Sequence, residues 1–306
     1  LVCSASVPGQ TPRSAQDYNN RGLERQGKGD LDGAIEDYTK AITIGGPGIV
    51  MAVAYNNRAN ALTSKNDLDG AIADYGKAIE IQPNNFEHYY NRGVVKLSRN
   101  DLDGAIADFS KAVELEPLVS PAFVNRGNAK RAKGDIAGAI SDYSSAILAQ
   151  PRYAEAYYNR GAALQSQHQL DAAMKDYTAA IDLQPMFADA YANRGGARQE
   201  AGNLVGAIAD YDKAIELKPD DAGAYYARAT AKQAKGDFNG AIVDYSKTIQ
   251  MDPSSANSFA NRAVVEAELG KNAEALKDFE KAFQLDPSLR SVHKHYIEKK
   301  LHRPSP

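Results

Sequence analysis

The sequence predicts an all-α protein built as a solenoid of helical hairpins, and three observations carry that expectation. Seven prolines, Pro83, Pro117, Pro151, Pro185, Pro219, Pro253 and Pro287, stand 34 residues apart. The same step carries Gly70-Ala71-Ile72 to Gly104-Ala105-Ile106, Gly138-Ala139-Ile140, Ala172-Ala173-Met174, Gly206-Ala207-Ile208, Gly240-Ala241-Ile242 and Glu274-Ala275-Leu276. Between these markers the apolar residues recur at the spacing of one helix face.

Taken in order, Leu1 to Ser14 is rich in serine, proline and small residues, and it reads as a disordered leader or signal-peptide remnant. Eight units follow, over 15–51, 52–85, 86–119, 120–153, 154–187, 188–221, 222–255 and 256–289. Gly33-Ala34-Ile35 precedes its successor by 37 residues, so the first unit carries three extra residues, placed at Gly45 to Gly48. In the unit 86–119, Phe86 to Arg99 predicts a helix A free of proline. Asp101 then offers an N-cap for helix B over Leu102 to Glu116, whose Ala105, Ile106, Phe109, Ala112 and Val113 form one stripe before Pro117 stops it. The turn position holds Gly29, Gly134, Gly202, Gly236 and Gly270 in other units, where positive φ is free of steric cost. Residues 290–306 read as a capping helix and tail, with Val292, Tyr296 and Ile297 available to cover the last hairpin.

A hairpin of this size cannot bury its own apolar stripe and must stack on the next. The 306 residues, which by length alone suggest about two domains, therefore read as one continuous array.

The sequence resembles the tetratricopeptide repeat family. The resemblance rests on Tyr89, Gly93, Ala105, Phe109, Ala112 and Pro117, on Tyr157, Gly161, Ala173, Tyr177, Ala180 and Pro185, and on equivalent places elsewhere. It implies a right-handed α-solenoid superhelix. For function it implies only a platform for partners, since the family hosts many unrelated ones.

Two charged columns run through the units, Arg21, Arg58, Arg92, Arg126, Arg160, Arg194, Arg228 and Arg262, and, 16 residues later, Asp37, Asp74, Asp108, Asp142, Asp176, Asp210, Asp244 and Asp278. They predict repeated bidentate pairs that fix register. The family's usual residue at the arginine place is apolar, so the chain departs from the pattern there. A basic ladder for an acidic ligand would require free arginines, which the matching aspartates oppose.

An asparagine precedes the arginine in all but one unit: Asn20, Asn57, Asn91, Asn125, Asn159, Asn193 and Asn261, with Ala227 the exception. Asparagine gains nothing by helix propensity mid-helix. Its amide presents a donor and an acceptor, as the backbone of an extended peptide requires. The resemblance places this position on the concave face and extends to solenoids in which an asparagine ladder holds a peptide main chain. The competing reading is an amide that hydrogen-bonds the neighbouring helix. One position earlier, Tyr90, Tyr158 and Tyr226 alternate with smaller residues and offer either side-chain pockets or core packing; Gln165, Gln199 and Gln233 would extend a polar lining. The lysines of the family's carboxylate clamp are missing, Tyr, Val, Ala or Pro121 standing there instead.

Composition limits the alternatives. Thirty-six basic against 39 acidic residues provide no field for nucleic acid. The apolar run Ile49 to Tyr55 is too short to cross a membrane. A single cysteine, Cys3, excludes an internal disulfide framework. Asp30-Leu31-Asp32-Gly33 lacks the remaining calcium ligands, His293 and His295 point different ways on a helix, and no nucleophile stands beside a base. The expectation is a monomeric, non-catalytic scaffold without cofactor or metal that binds a protein or peptide partner, with an exported location favoured over a cytoplasmic one. The alternatives are the recruiting arm of a larger enzyme, or an assembly factor using the convex face.

Overall fold

The computed structural model describes residues 13–301; most of the leader, including Cys3, and the tail 302–306 lie outside the described residues. Two compact units make up the chain, Leu1–Asn159 and Arg160–Pro306. The first contains α1 (Ala15–Gly27), α2 (Leu31–Ile44), α3 (Gly48–Ser64), α4 (Leu68–Ile81), α5 (Phe86–Ser98), α6 (Leu102–Leu115), α7 (Ser120–Ala132) and α8 (Ile136–Ala149). The division falls inside α9 (Ala154–Ser166). The second contains α10 (Leu170–Leu183), α11 (Ala188–Glu200), α12 (Leu204–Leu217), α13 (Ala222–Lys235), α14 (Phe238–Met251), α15 (Ala256–Glu268), α16 (Asn272–Leu285) and α17 (Leu289–Lys300). All secondary structure among the described residues is helical, as the periodicity predicts.

Local chemistry explains the hairpins. The helix-A to helix-B turn places one residue per hairpin at positive φ: glycine at the five expected positions, and Asn66 (64°), Asn100 (61°) and His168 (56°) in the other three. The following helix starts behind a side-chain cap at Asp30, Asp67, Asp101, Asp135, Asn203 and Asp237, whose Oδ1 accepts the backbone N–H of Gly33, Gly70, Gly104, Gly138, Gly206 and Gly240. That cap accounts for the repeated glycine, because a Cβ on Gly138 would lie 2.1 Å from the Asp135 carboxylate. Where Gln169 and Lys271 replace the cap, no side chain caps the helix and Ala172 and Glu274 replace the glycine.

The extra residues of the first unit do not form a longer loop alone. They extend α3 to 17 residues, against 13 for α5, so the boundary drawn at 51/52 falls inside a helix.

Packing shows why one hairpin does not suffice. Ala59, Ala71 and Tyr75 of α3 and α4 are completed by Val95 of α5; Ala229, Ala241 and Tyr245 of α13 and α14 are completed by Val265 of α15. Small alanines let the helices approach while one ring per hairpin fills the space between them. At the C-terminal end Tyr296 and Ile297 of α17 and Leu301 just after it cover Ala263, Ala267, Ala275 and Phe279. Val292, expected in this cap, is exposed.

Candidate functional site

The arginine and aspartate columns meet in every hairpin. Nε of Arg21, Arg58, Arg92, Arg126, Arg160, Arg194, Arg228 and Arg262 donates to one carboxylate oxygen of the aspartate 16 residues on, and Nη2 donates to the other, at 2.6–3.0 Å. The aspartates are buried. These bonds hold the guanidinium pKa of Arg58, Arg92 and Arg262 above its ordinary value.

The remaining nitrogen, Nη1, reaches helix B of the preceding hairpin, where it donates to Thr39, Ser110, Thr178, Asp212 and Ser246 from Arg58, Arg126, Arg194, Arg228 and Arg262. The ring three residues earlier lies under the same guanidinium, for example Tyr55 at 5.7 Å from Arg58 and Phe123 at 5.5 Å from Arg126. Each such arginine joins three helices, a structural task that leaves no basic ladder. A second cation reaches the aspartate in five hairpins: Arg25 on Asp37 (3.3 Å), Lys96 on Asp108 (2.7 Å), Lys130 on Asp142 (2.8 Å), Arg198 on Asp210 (2.7 Å) and Lys232 on Asp244 (2.8 Å).

The asparagines engage the preceding helix A. Nδ2 of Asn57 donates to Asn19 (3.0 Å), that of Asn91 to Asn56 (3.4 Å), that of Asn125 to the Tyr90 hydroxyl (3.2 Å) and that of Asn261 to the Tyr226 hydroxyl (2.9 Å). Asn20 accepts from Gln16 within its own helix. Asn159 is buried, and Asn193 is half-buried. The neighbour-helix reading of these amides is thus realised at four positions, each using one of the two amide hydrogens. Among the described residues nothing donates to Oδ1 of Asn57, Asn91 or Asn125.

Tyr90 packs against Phe109 (5.9 Å between centroids) and Tyr226 against Tyr245 (5.8 Å). Both rings therefore belong to the packing, and both hydroxyls orient an asparagine of the next hairpin. Tyr158 is half-buried. The glutamines support the helix-B rings, since Gln165, Gln199 and Gln233 accept the hydroxyl protons of Tyr177, Tyr211 and Tyr245. Burial pushes the Tyr211 hydroxyl pKa up to about 12, so this donor stays protonated. Gln165 and Gln199 also donate to Glu200 and Thr230.

Sequence reasoning missed the partner of the asparagine, which lies 35 residues back in three of the four bonds. The signal in the sequence was partial: Asn91, Asn125 and Asn261 stand 35 residues after Asn56, Tyr90 and Tyr226, and Ala227 stands after Ala192, yet Asn159 also follows an apolar residue, Val124. Among the described residues no helix is long and apolar enough to cross a membrane, and no three metal-ligating side chains cluster.

Family models for the tetratricopeptide repeat match residues 17–44, 59–98, 87–117, 127–168, 154–187, 197–236 and 226–289. No curated protein matches the sequence. Among solved structures, YrrB, described as a TPR protein with an unusual peptide-binding site, is 28% identical with a TM-score of 0.53, over 63% of this chain and 98% of its own. MamA is 28% identical with a TM-score of 0.51, over 56% of this chain and 94% of its own. A tetratricopeptide repeat protein from Parabacteroides merdae shares the fold at 17% identity and a TM-score of 0.62, over 89% of this chain and 100% of its own. The 34-residue hairpins, their alanine-and-ring cores and these matches together place the chain in the tetratricopeptide repeat family.

Proposed function

We propose that the protein is a non-catalytic interaction scaffold that holds an extended peptide segment of a partner protein against the helix-A asparagines of its first unit. The observation that carries this reading is the state of Asn57, Asn91 and Asn125. One N–H of each amide is fixed to the preceding helix A, which sets the orientation of the side chain, while Oδ1 has no acceptor duty among the described residues. An amide held in that way is pre-organised for a peptide N–H, so little conformational entropy is lost on binding. Main-chain recognition of this kind is tolerant of sequence. The similarity to YrrB, itself described by its peptide-binding site, supports the same reading.

The test is an array of extended peptides probed with the full chain and with Asn57→Ala/Asn91→Ala/Asn125→Ala. The expected result is loss of peptide capture by the variant, with a melting temperature within a few degrees of wild type. Undiminished capture by the folded variant would refute the proposal.

A further inference from the structure

The last hairpin reverses the charge that five others carry at one helix-A position. Glu266 on α15 stands four residues beyond Arg262, in the register that carries Arg25, Lys96, Lys130, Arg198 and Lys232. Those cations reach the helix-B aspartate of their own hairpins, whereas here a carboxylate occupies the cation's place beside Asp278. Glu266 is only 8% exposed, and its Oε2 is buried without a hydrogen-bond partner. A buried carboxyl oxygen without a hydrogen bond is costly, and the nearby charges of Arg262 and Lys271 offset only part of the burial and of the repulsion from Asp278. It lines a cleft of about 580 Å³ together with Phe259, Arg262, Glu274, Asp278 and Glu280.

Glu280 adds a second acidic position. It continues the column of Thr39, Ser110, Thr178, Asp212 and Ser246, each of which accepts from the arginine of the following hairpin. After α16 that arginine's register holds Tyr296, whose hydroxyl bonds to the Val264 carbonyl and to Glu268 instead. The cations of the cleft are Arg262, bound to Asp278, and Lys277 and Lys281 on α16, with Lys271 nearby; none of them hydrogen-bonds Glu266 Oε2.

We propose that this cleft receives the ammonium group of a lysine side chain from a partner segment, seated between Glu266 and Asp278. Lys96, Lys130 and Lys232 show the bound arrangement, with the amine 2.7–2.8 Å from the aspartate. A slim alkyl chain ending in a primary ammonium satisfies Asp278 as those lysines do, and supplies further N–H donors for Glu266. Burial beside Asp278 raises the Glu266 carboxyl to about 7, so an arriving cation also favours its ionisation. The cleft lies on the α15 face of Phe259, Arg262 and Glu266, whereas Asn261 turns to Tyr226 on α13. The proposal therefore does not rest on the asparagine reading.

The experiment titrates the full chain with acetyl-Gly-Lys-Gly-amide while the side-chain carboxyl carbons are followed by NMR. Parallel titrations use the norleucine analogue and n-butylammonium chloride at matched ionic strength. The expected result is a saturable shift of the Glu266 and Asp278 resonances with the lysine peptide and none with the norleucine peptide. Binding should tighten from pH 6 to pH 8 as Glu266 ionises, weaken at least ten-fold in Glu266→Gln, and vanish in Glu266→Lys, which supplies its own ammonium. Absence of a saturable shift in folded wild type, an equal shift with the norleucine peptide, or unchanged affinity in Glu266→Gln would overturn the proposal, whereas n-butylammonium, which carries the same head group, should compete with the lysine peptide. Should Glu266→Gln fail to fold, the contrast between the lysine and norleucine peptides on wild type decides it.

Discussion

Removing an arginine from the column should cost very different amounts in different hairpins. In the second hairpin Arg58 is the cation bonded to Asp74, and the place four residues on is Leu62; in the fourth, Asp142 is shared by Arg126 and Lys130. Arg58→Leu therefore strands a buried carboxylate, which costs about 3–5 kcal/mol. Arg126→Leu loses the charged hydrogen bonds but leaves Asp142 its lysine, which costs about 1.5–3 kcal/mol. The third guanidinium contact, to Thr39 or Ser110, is lost in both and cancels. The expected difference is about 2 kcal/mol. Replacing both partners, Arg58→Leu/Asp74→Leu, should recover stability to within about 1.5 kcal/mol of wild type, because the buried charge leaves with its partner. Urea denaturation followed by circular dichroism measures the total. Hydrogen exchange at α4 and α8 locates the loss, which matters because arrays of repeats open in parts. Equal costs for the two single replacements, or a double replacement as damaging as Arg58→Leu alone, would refute the compensation argument.

Two further outcomes follow from single residues. His168 is exposed and sits at φ 56°, so His168→Gly should stabilise the chain by about 1 kcal/mol in the same urea assay, by relieving left-handed strain. Burial, with the charge of Asp278 beside it, raises the Glu266 carboxyl from its ordinary 4.5 to about 7 in the folded chain. Its folded pKa is raised, so the stability it contributes is fully present below about pH 4.5 and is lost as pH rises through 7. Glu266→Gln should accordingly gain about 2–3 kcal/mol at pH 8 relative to its effect at pH 4.

The fold was almost fully legible because periodicity is a property of the chain itself. The prolines, the alanine columns and the charged columns each specify the hairpin independently, and they agree. The Arg–Asp pairs were legible for the same reason, since two columns at a constant offset of 16 residues must meet in every unit if they meet in one. What escaped were relations between neighbouring hairpins. The bond from Asn125 to Tyr90 depends on how α7 lies on α5, and no local propensity encodes that. Within one hairpin, the role of Gln233 as acceptor for Tyr245 depends in the same way on how α13 lies on α14. Glu266 was hidden for another reason: its meaning comes from the lysines and arginines it replaces, and only the structure shows what those cations do.

The arginine nodes bear on how such a chain grows. The guanidinium of Arg58, Arg126, Arg194, Arg228 or Arg262 is held by an aspartate from its own hairpin and reaches back to a polar residue of the hairpin before it, so these junctions use one chemical plug and nearly one socket. Thr39, Ser110, Thr178, Asp212 and Ser246 are interchangeable acceptors in this role. Copying a whole 34-residue period therefore creates a junction that already fits, and copying any other length does not. Hairpins of this period are thus compatible with one another at such junctions, and substitution is free to act on the surfaces that the nodes leave untouched.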